Sequence, residues 1–66
     1  MKPWYYIKSR KRIWSIRLKG VRVWSAWYTD TMASTLEKAS EAMRSMFRPD
    51  DDDYQVGVFY RGKRVL

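Results

Sequence analysis

The chain has no cysteine and no histidine. Without thiols, neither a disulfide framework nor a thiolate zinc site can staple the fold. Without imidazole, the zincin and Ser-His-Asp arrangements of catalytic groups are excluded. No glycine-rich phosphate loop is visible, and no nucleophile stands at recognisable spacing from a base. The expectation is a protein that binds rather than an enzyme. No apolar run approaches the roughly 20 residues of a membrane span, and residues 1–7 are too short and too soon interrupted for a secretory apolar segment. A cytoplasmic setting without membrane contact is expected.

Acidic residues are missing from residues 1–29, which carry Lys2, Lys8, Arg10, Lys11, Arg12, Arg17, Lys19 and Arg22. All seven acids lie within residues 30–53, among only three basic residues, and the tail adds Arg61, Lys63 and Arg64. The balance is +7 over 66 residues. Such a surplus favours an anionic partner, and it makes the strongest binding face if the first and last segments are neighbours in space. A hydrophobic content of 45%, with 17% aromatic residues, gives this chain enough apolar surface to fold as one small domain.

Trp14, Ile16 and Leu18 alternate with polar residues up to Lys19-Gly20, and the alternation resumes at Val21 and Val23. This reads as a hairpin with a two-residue Lys-Gly turn. Leu18 then stands opposite Val21, Ile16 opposite Val23 and Trp14 opposite Ser25, with the apolar set facing the core and Ser15, Arg17, Arg22 and Trp24 facing out. An earlier strand is expected over residues 4–8, joined to the hairpin by a basic loop through Ser9-Arg10-Lys11-Arg12. Ser34-Thr35-Leu36-Glu37 matches a capping box, and Leu36, Ala39, Ala42, Met43, Met46 and Phe47 recur at helical spacing until Pro49, which predicts a helix over residues 35–47. Tyr54, Val56, Val58 and Tyr60 then alternate as a last strand. The expected fold class is α+β: a three- or four-stranded antiparallel-type sheet in β-β-β-α-β order, with one helix packed on one face.

One helix covers one face of such a sheet, so the other face is left for water or a partner. The candidate nucleic-acid contacts are Lys8, Arg10, Lys11, Arg12, Arg17, Arg22, Arg61, Lys63 and Arg64 for phosphates, with Trp24, joined by Tyr28, as a stacking surface. Trp14, Trp27 and the helix methionines are assigned to the core. Asp50-Asp51-Asp52-Asp53 lacks the alternating carboxylates and closing Glu of a calcium loop, so no metal or other cofactor is expected. That run is read as solvating a loop after Pro49 or screening the basic faces, and on a nucleic-acid binder it would sit away from the phosphates.

The stretch Ile13-Trp14-Ser15-Ile16-Arg17-Leu18-Lys19-Gly20 through Thr35-Leu36-Glu37-Lys38-Ala39 resembles the strand-turn-strand-helix pattern of arm-type DNA-binding domains of tyrosine recombinases. With the final strand at residues 54–60, the order of elements is also similar to small phage inhibitors of bacterial RNA polymerase. Together these resemblances imply a compact phage or mobile-element protein that acts by binding. The preferred expectation is a non-enzymatic DNA- or RNA-binding protein. The alternative is a regulator or inhibitor that docks on a larger host protein, such as a polymerase or a nucleic-acid-processing complex. Homodimerisation through the open face is compatible with both.

Overall fold

A computed structural model describes residues 4–66; Lys2, one of the basic residues of the first segment, lies outside the described residues. The elements run β1 (Tyr5–Trp14), β2 (Arg22–Trp24), β3 (Tyr28–Ala33), α1 (Leu36–Met46), β4 (Tyr54–Tyr60) and β5 (Lys63–Arg64). All pairings are antiparallel, and the fold is α+β: a curled sheet with the helix packed against it.

The ten-residue β1 organises the sheet. One of its edges pairs with β4 along its first seven residues, from Tyr5↔Tyr60 to Lys11↔Tyr54. Its other edge is shared: β3 takes the first half and β2 the second. Residues 8–12 are therefore strand, not the basic loop expected from the sequence. Their alternation continues unbroken from Tyr5-Tyr6-Ile7 to Ile13-Trp14, and pairing on both edges satisfies their backbone groups. The expected first strand and the first arm of the hairpin are one element.

The Lys19-Gly20 turn forms where expected, with Val21 N–H donating to the Leu18 carbonyl at 3.0 Å. Beyond that pair the register departs from the expectation. Ser15 N–H donates to the Val21 carbonyl at 2.9 Å, and Trp14 stands opposite Arg22, not Ser25. Ile16 and Arg17 are thus looped out of the ladder. The Ser15 side chain closes this bulge by accepting from Leu18 N–H at 3.0 Å, a local bond of the kind serine offers in turns. The slip rotates Trp14 onto the face away from the helix, where it is 65% exposed, so it is not the core residue the alternation suggested. Ile16, Leu18, Val21 and Val23 are exposed as well.

The strands β3 and β5 were not apparent from the sequence. Strand β3 is interrupted in register at Ile7/Lys8, where Asp30 is the extra residue, and its polar composition hides it. Strand β5 folds back on β4 through Arg61-Gly62, both at positive φ (51° and 80°), as a two-residue hairpin turn requires.

The core is small: Ile7, Ala33, Ala39, Val56 and Val58 are buried, with Tyr5, Ala42, Met43, Met46 and Tyr54 packed around them. Ile7 faces Val58 across the β1/β4 ladder, and Ala39 lets the helix approach closely. The helix methionines pack as expected. Helix α1 begins one residue later than the capping-box reading: Thr35, not Ser34, is the N-cap, its hydroxyl accepting from Lys38 N–H at 3.2 Å. Among the described residues no helix is long and apolar enough to cross a membrane.

Candidate binding face

The sheet alternation divides β1 into two rows. Tyr5, Ile7, Ser9, Lys11 and Ile13 share the helix side; Tyr6, Lys8, Arg10, Arg12 and Trp14 share the open side. The registers add Arg22 and Trp24 of β2, Gln55, Gly57 and Phe59 of β4, and Arg64 of β5 to the open side.

Trp27 reaches the same face through a bulge. Ser25 bonds to Lys11 through both its N–H (2.8 Å, to the Lys11 carbonyl) and its hydroxyl (3.1 Å, from Lys11 N–H), while Tyr28 pairs with Ser9. Two residues, Ala26 and Trp27, therefore oppose Arg10 alone. The extra residue puts Trp24 and Trp27 on one side and sends Tyr28 to the other. Tyr28, expected beside Trp24, instead lines an open cleft on the helix side with Ser9, Lys11, Asp30, Arg48 and Tyr54.

On the open side, arginines and indoles alternate in a continuous ladder. The guanidinium carbon of Arg12 lies 5.0 Å from the Trp24 ring centre, and that of Arg10 lies 4.9 Å from the same ring. Arg10 is also 4.5 Å from the Trp27 ring, and Arg64 is 5.4 Å from Trp27. Trp27 meets Phe59 edge-on at 5.0 Å, and Lys8 Nζ is 5.0 Å from Phe59. At the hairpin end, Arg22 stands 5.8 Å from Trp14. Each such contact contributes about 0.5–1 kcal/mol at an exposed site. Two side-chain bonds fix the ladder further: Arg10 Nε donates to Gln55 Oε1 at 2.7 Å, and Arg64 Nε donates to the Leu66 carbonyl at 2.9 Å.

Of the ten residues singled out from the sequence, Lys8, Arg10, Arg12, Arg22, Trp24 and Arg64 converge on this face. Four do not. Lys11 points to the helix side, Arg17 sits in the looped-out bulge, Arg61 lies in the β4/β5 turn with its guanidinium 5.5 Å from Tyr60, and Lys63 pairs with Tyr60 on the helix side. Trp24 is not a free stacking platform, because Arg10 and Arg12 already lie against it. Trp27 and Trp14, assigned to the core from the sequence, belong to this face instead, Trp27 because the Ala26-Trp27 bulge turns it there, and Phe59, Tyr6 and Gln55 were missed. The Trp24/Trp27 spacing places the two indoles on opposite faces of a regular strand, and only the bulge reunites them.

The aspartate run is not remote from the basic face. Asp53 binds Arg22 Nη2 at 2.5 Å and stands 3.9 Å from Arg12 Nε, at the junction of β1, β2 and β4. It neutralises part of the charge at that corner. Among the described residues no cluster of three or more acidic side chains is arranged to hold a metal ion. Chemically, the open face gathers five cationic groups, Lys8, Arg10, Arg12, Arg22 and Arg64, each within 6 Å of an aromatic ring centre, which suits it to an anionic ligand.

No protein-family model matches the chain, nor does any curated protein or solved structure. The class is thus defined by architecture alone: a small α+β protein with a single helix behind a curled antiparallel sheet and an arginine–indole ladder across its open side.

Proposed function

We propose that this protein is a non-enzymatic nucleic-acid-binding protein that grips the phosphate backbone of DNA or RNA through its open sheet face. The observation that carries this reading is the ladder Arg12–Trp24–Arg10–Trp27–Arg64, with Lys8 and Arg22 beside it. Stacking holds each guanidinium in place before any ligand arrives, so less side-chain entropy is lost on binding. Because the indoles are already covered by arginines, phosphate contact rather than base stacking supplies the affinity. A cytoplasmic setting is in keeping with this role.

Fluorescence anisotropy with labelled duplex DNA, single-stranded DNA and RNA across a range of salt tests it. With three to five phosphates neutralised on duplex DNA, the slope of log Kobs against log salt is about −3 to −4.5. The triple substitution Lys8→Gln, Arg12→Gln, Arg22→Gln flattens that slope and leaves the circular dichroism unchanged. Indifference to all three nucleic acids at low salt defeats the proposal.

The second reading, docking on a larger host protein, draws on the aromatic side chains left in solvent, Trp14 at 65% and Tyr28 at 71% exposure. It predicts a partner retained from host lysate after nuclease treatment and a shallow salt dependence.

A further inference from the structure

We propose that the hairpin tip, residues 15–21, is an apolar wedge that inserts Ile16 between base pairs of duplex DNA from the minor groove. This rests on the phosphate-binding reading above and names its target. Ile16 is 97% exposed, the most exposed large apolar side chain of the described residues, with Leu18 and Val21 exposed beside it. Nothing in the fold uses the Ile16 side chain. The fold nevertheless holds its backbone: Ser15 N–H bonds to Val21, and the Ser15 hydroxyl caps Leu18. The bulge thus projects one aliphatic side chain from a closed loop at the end of β1, the longest strand.

Charge selects the occupant. Arg17 and Lys19 flank the wedge, with Arg22 behind them held by Asp53, and no acidic residue lies between residue 4 and Thr29. Pairing two tips in a dimer would bring these like charges together, whereas a duplex supplies phosphates on both sides of the minor groove. The tip is also continuous with the ladder through Trp14 and Arg22, so one ligand can engage both. Side-chain chemistry selects the groove. In the major groove Arg17 and Lys19 would read guanine edges by hydrogen bonds and leave Ile16 at most a contact with a thymine methyl group. An aliphatic side chain flanked by cations is instead what unstacks a base step from the minor-groove side, bending the duplex by roughly 20–90°.

The experiment uses a short DNA duplex with a donor and an acceptor dye at its ends and 2-aminopurine at a central step. The intact protein is expected to shorten the end-to-end distance and raise the 2-aminopurine emission. Ile16→Ser loses both signals while retaining most of the affinity and the salt slope; Ile16→Met, which keeps an apolar wedge, retains both signals. Binding by the intact protein without shortening or unstacking overturns the wedge and leaves the phosphate-binding reading standing. Failure to bind any nucleic acid at low salt overturns both. If Ile16→Ser leaves the bend intact but abolishes self-association or capture of a host protein, the tip is a protein contact and the wedge is overturned.

Discussion

Arg10 is the residue on which the open face is assembled, since its one guanidinium touches Trp24 and Trp27 and donates to Gln55. Charge alone does not account for that position. A lysine would keep the charge but present a compact ammonium that cannot lie flat between two rings. Arg10→Lys is therefore expected to cost about 1.5 kcal/mol in urea unfolding, the low end for a lost hydrogen bond to a charged group, because the ammonium keeps part of the contact with the rings. It should also shift the tryptophan emission as the indoles lose their cover, while the salt slope stays unchanged. A second residue-scale constraint lies beneath Arg64. A Cβ on Gly57 would stand 2.8 Å from Arg64 Nε and 3.1 Å from the Leu66 carbonyl oxygen. Gly57→Ala thus pushes the terminal segment off β4, with Arg64 withdrawn from Trp27. Because the nearest atom belongs to the flexible Arg64 side chain, which can swing aside, the expected cost is about 1 kcal/mol, at the low end for overpacking. Hydrogen exchange would show it as lost protection at Val65 and Leu66, with Ile7 and Val58 still protected.

At the scale of the element, the helix and the last strand were the parts most legible in the sequence, because each obeys one period from end to end. Leu36 through Phe47 repeats at helical spacing, and residues 54–60 alternate without interruption. Only the cap was misread, because Ser34 and Thr35 stand side by side and both offer a hydroxyl; the match to Glu37 favoured Ser34, whereas the backbone turns at Thr35. The two hydroxyls can be told apart by stability. Thr35→Ala should lower it by about 1 kcal/mol, the usual cost of a lost N-cap, and Ser34→Ala should leave the urea midpoint nearly unchanged. Equal losses at both positions would contradict the Thr35 cap. The hairpin was legible at its turn but not in its register. Period-two alternation cannot reveal a bulge, and the resulting three-residue slip, which sets Trp14 opposite Arg22 in place of Ser25, leaves Trp14 on the face opposite Val23. The same limit concealed Trp27. A bulge set by Ser25 and its bonds to Lys11 leaves no mark in hydropathy.

At the scale of the whole molecule, the segregation of charge along the chain makes a basic face only if distant segments meet, and β1, β2 and β5 bring Lys8, Arg10, Arg12, Arg22 and Arg64 onto one side of the sheet. Of the two roles the sequence left open for the acidic run, solvation or screening, Asp53 takes the second, because β4 pairs with β1 up to Lys11↔Tyr54 and so delivers it to the Arg12/Arg22 corner. Asp53 can serve to hold the corner together or to moderate its affinity for anions, and the two roles separate on substitution. Both partners are well exposed, with side-chain accessibilities of 40% for Arg22 and 38% for Asp53, so the ion pair adds less than about 1 kcal/mol to stability. Its effect on a phosphate ligand is larger, since an aspartate at that corner must be displaced or tolerated by every phosphate that approaches. Asp53→Asn keeps an acceptor for Arg22 and leaves the backbone bond from Arg12 N–H to the Asp53 carbonyl in place. The variant is therefore expected to unfold at nearly the same urea concentration, to bind nucleic acid more tightly at low salt, and to steepen the salt slope by about one phosphate. Unchanged affinity and slope would mean that the ligand does not reach the Arg12/Arg22 corner, and the contact would then be confined to Lys8, Arg10 and Arg64. Weaker binding at unchanged stability would assign Asp53 a direct role in holding the ligand, as a carboxylate does toward a basic protein surface, and would favour the host-protein reading over the nucleic-acid one.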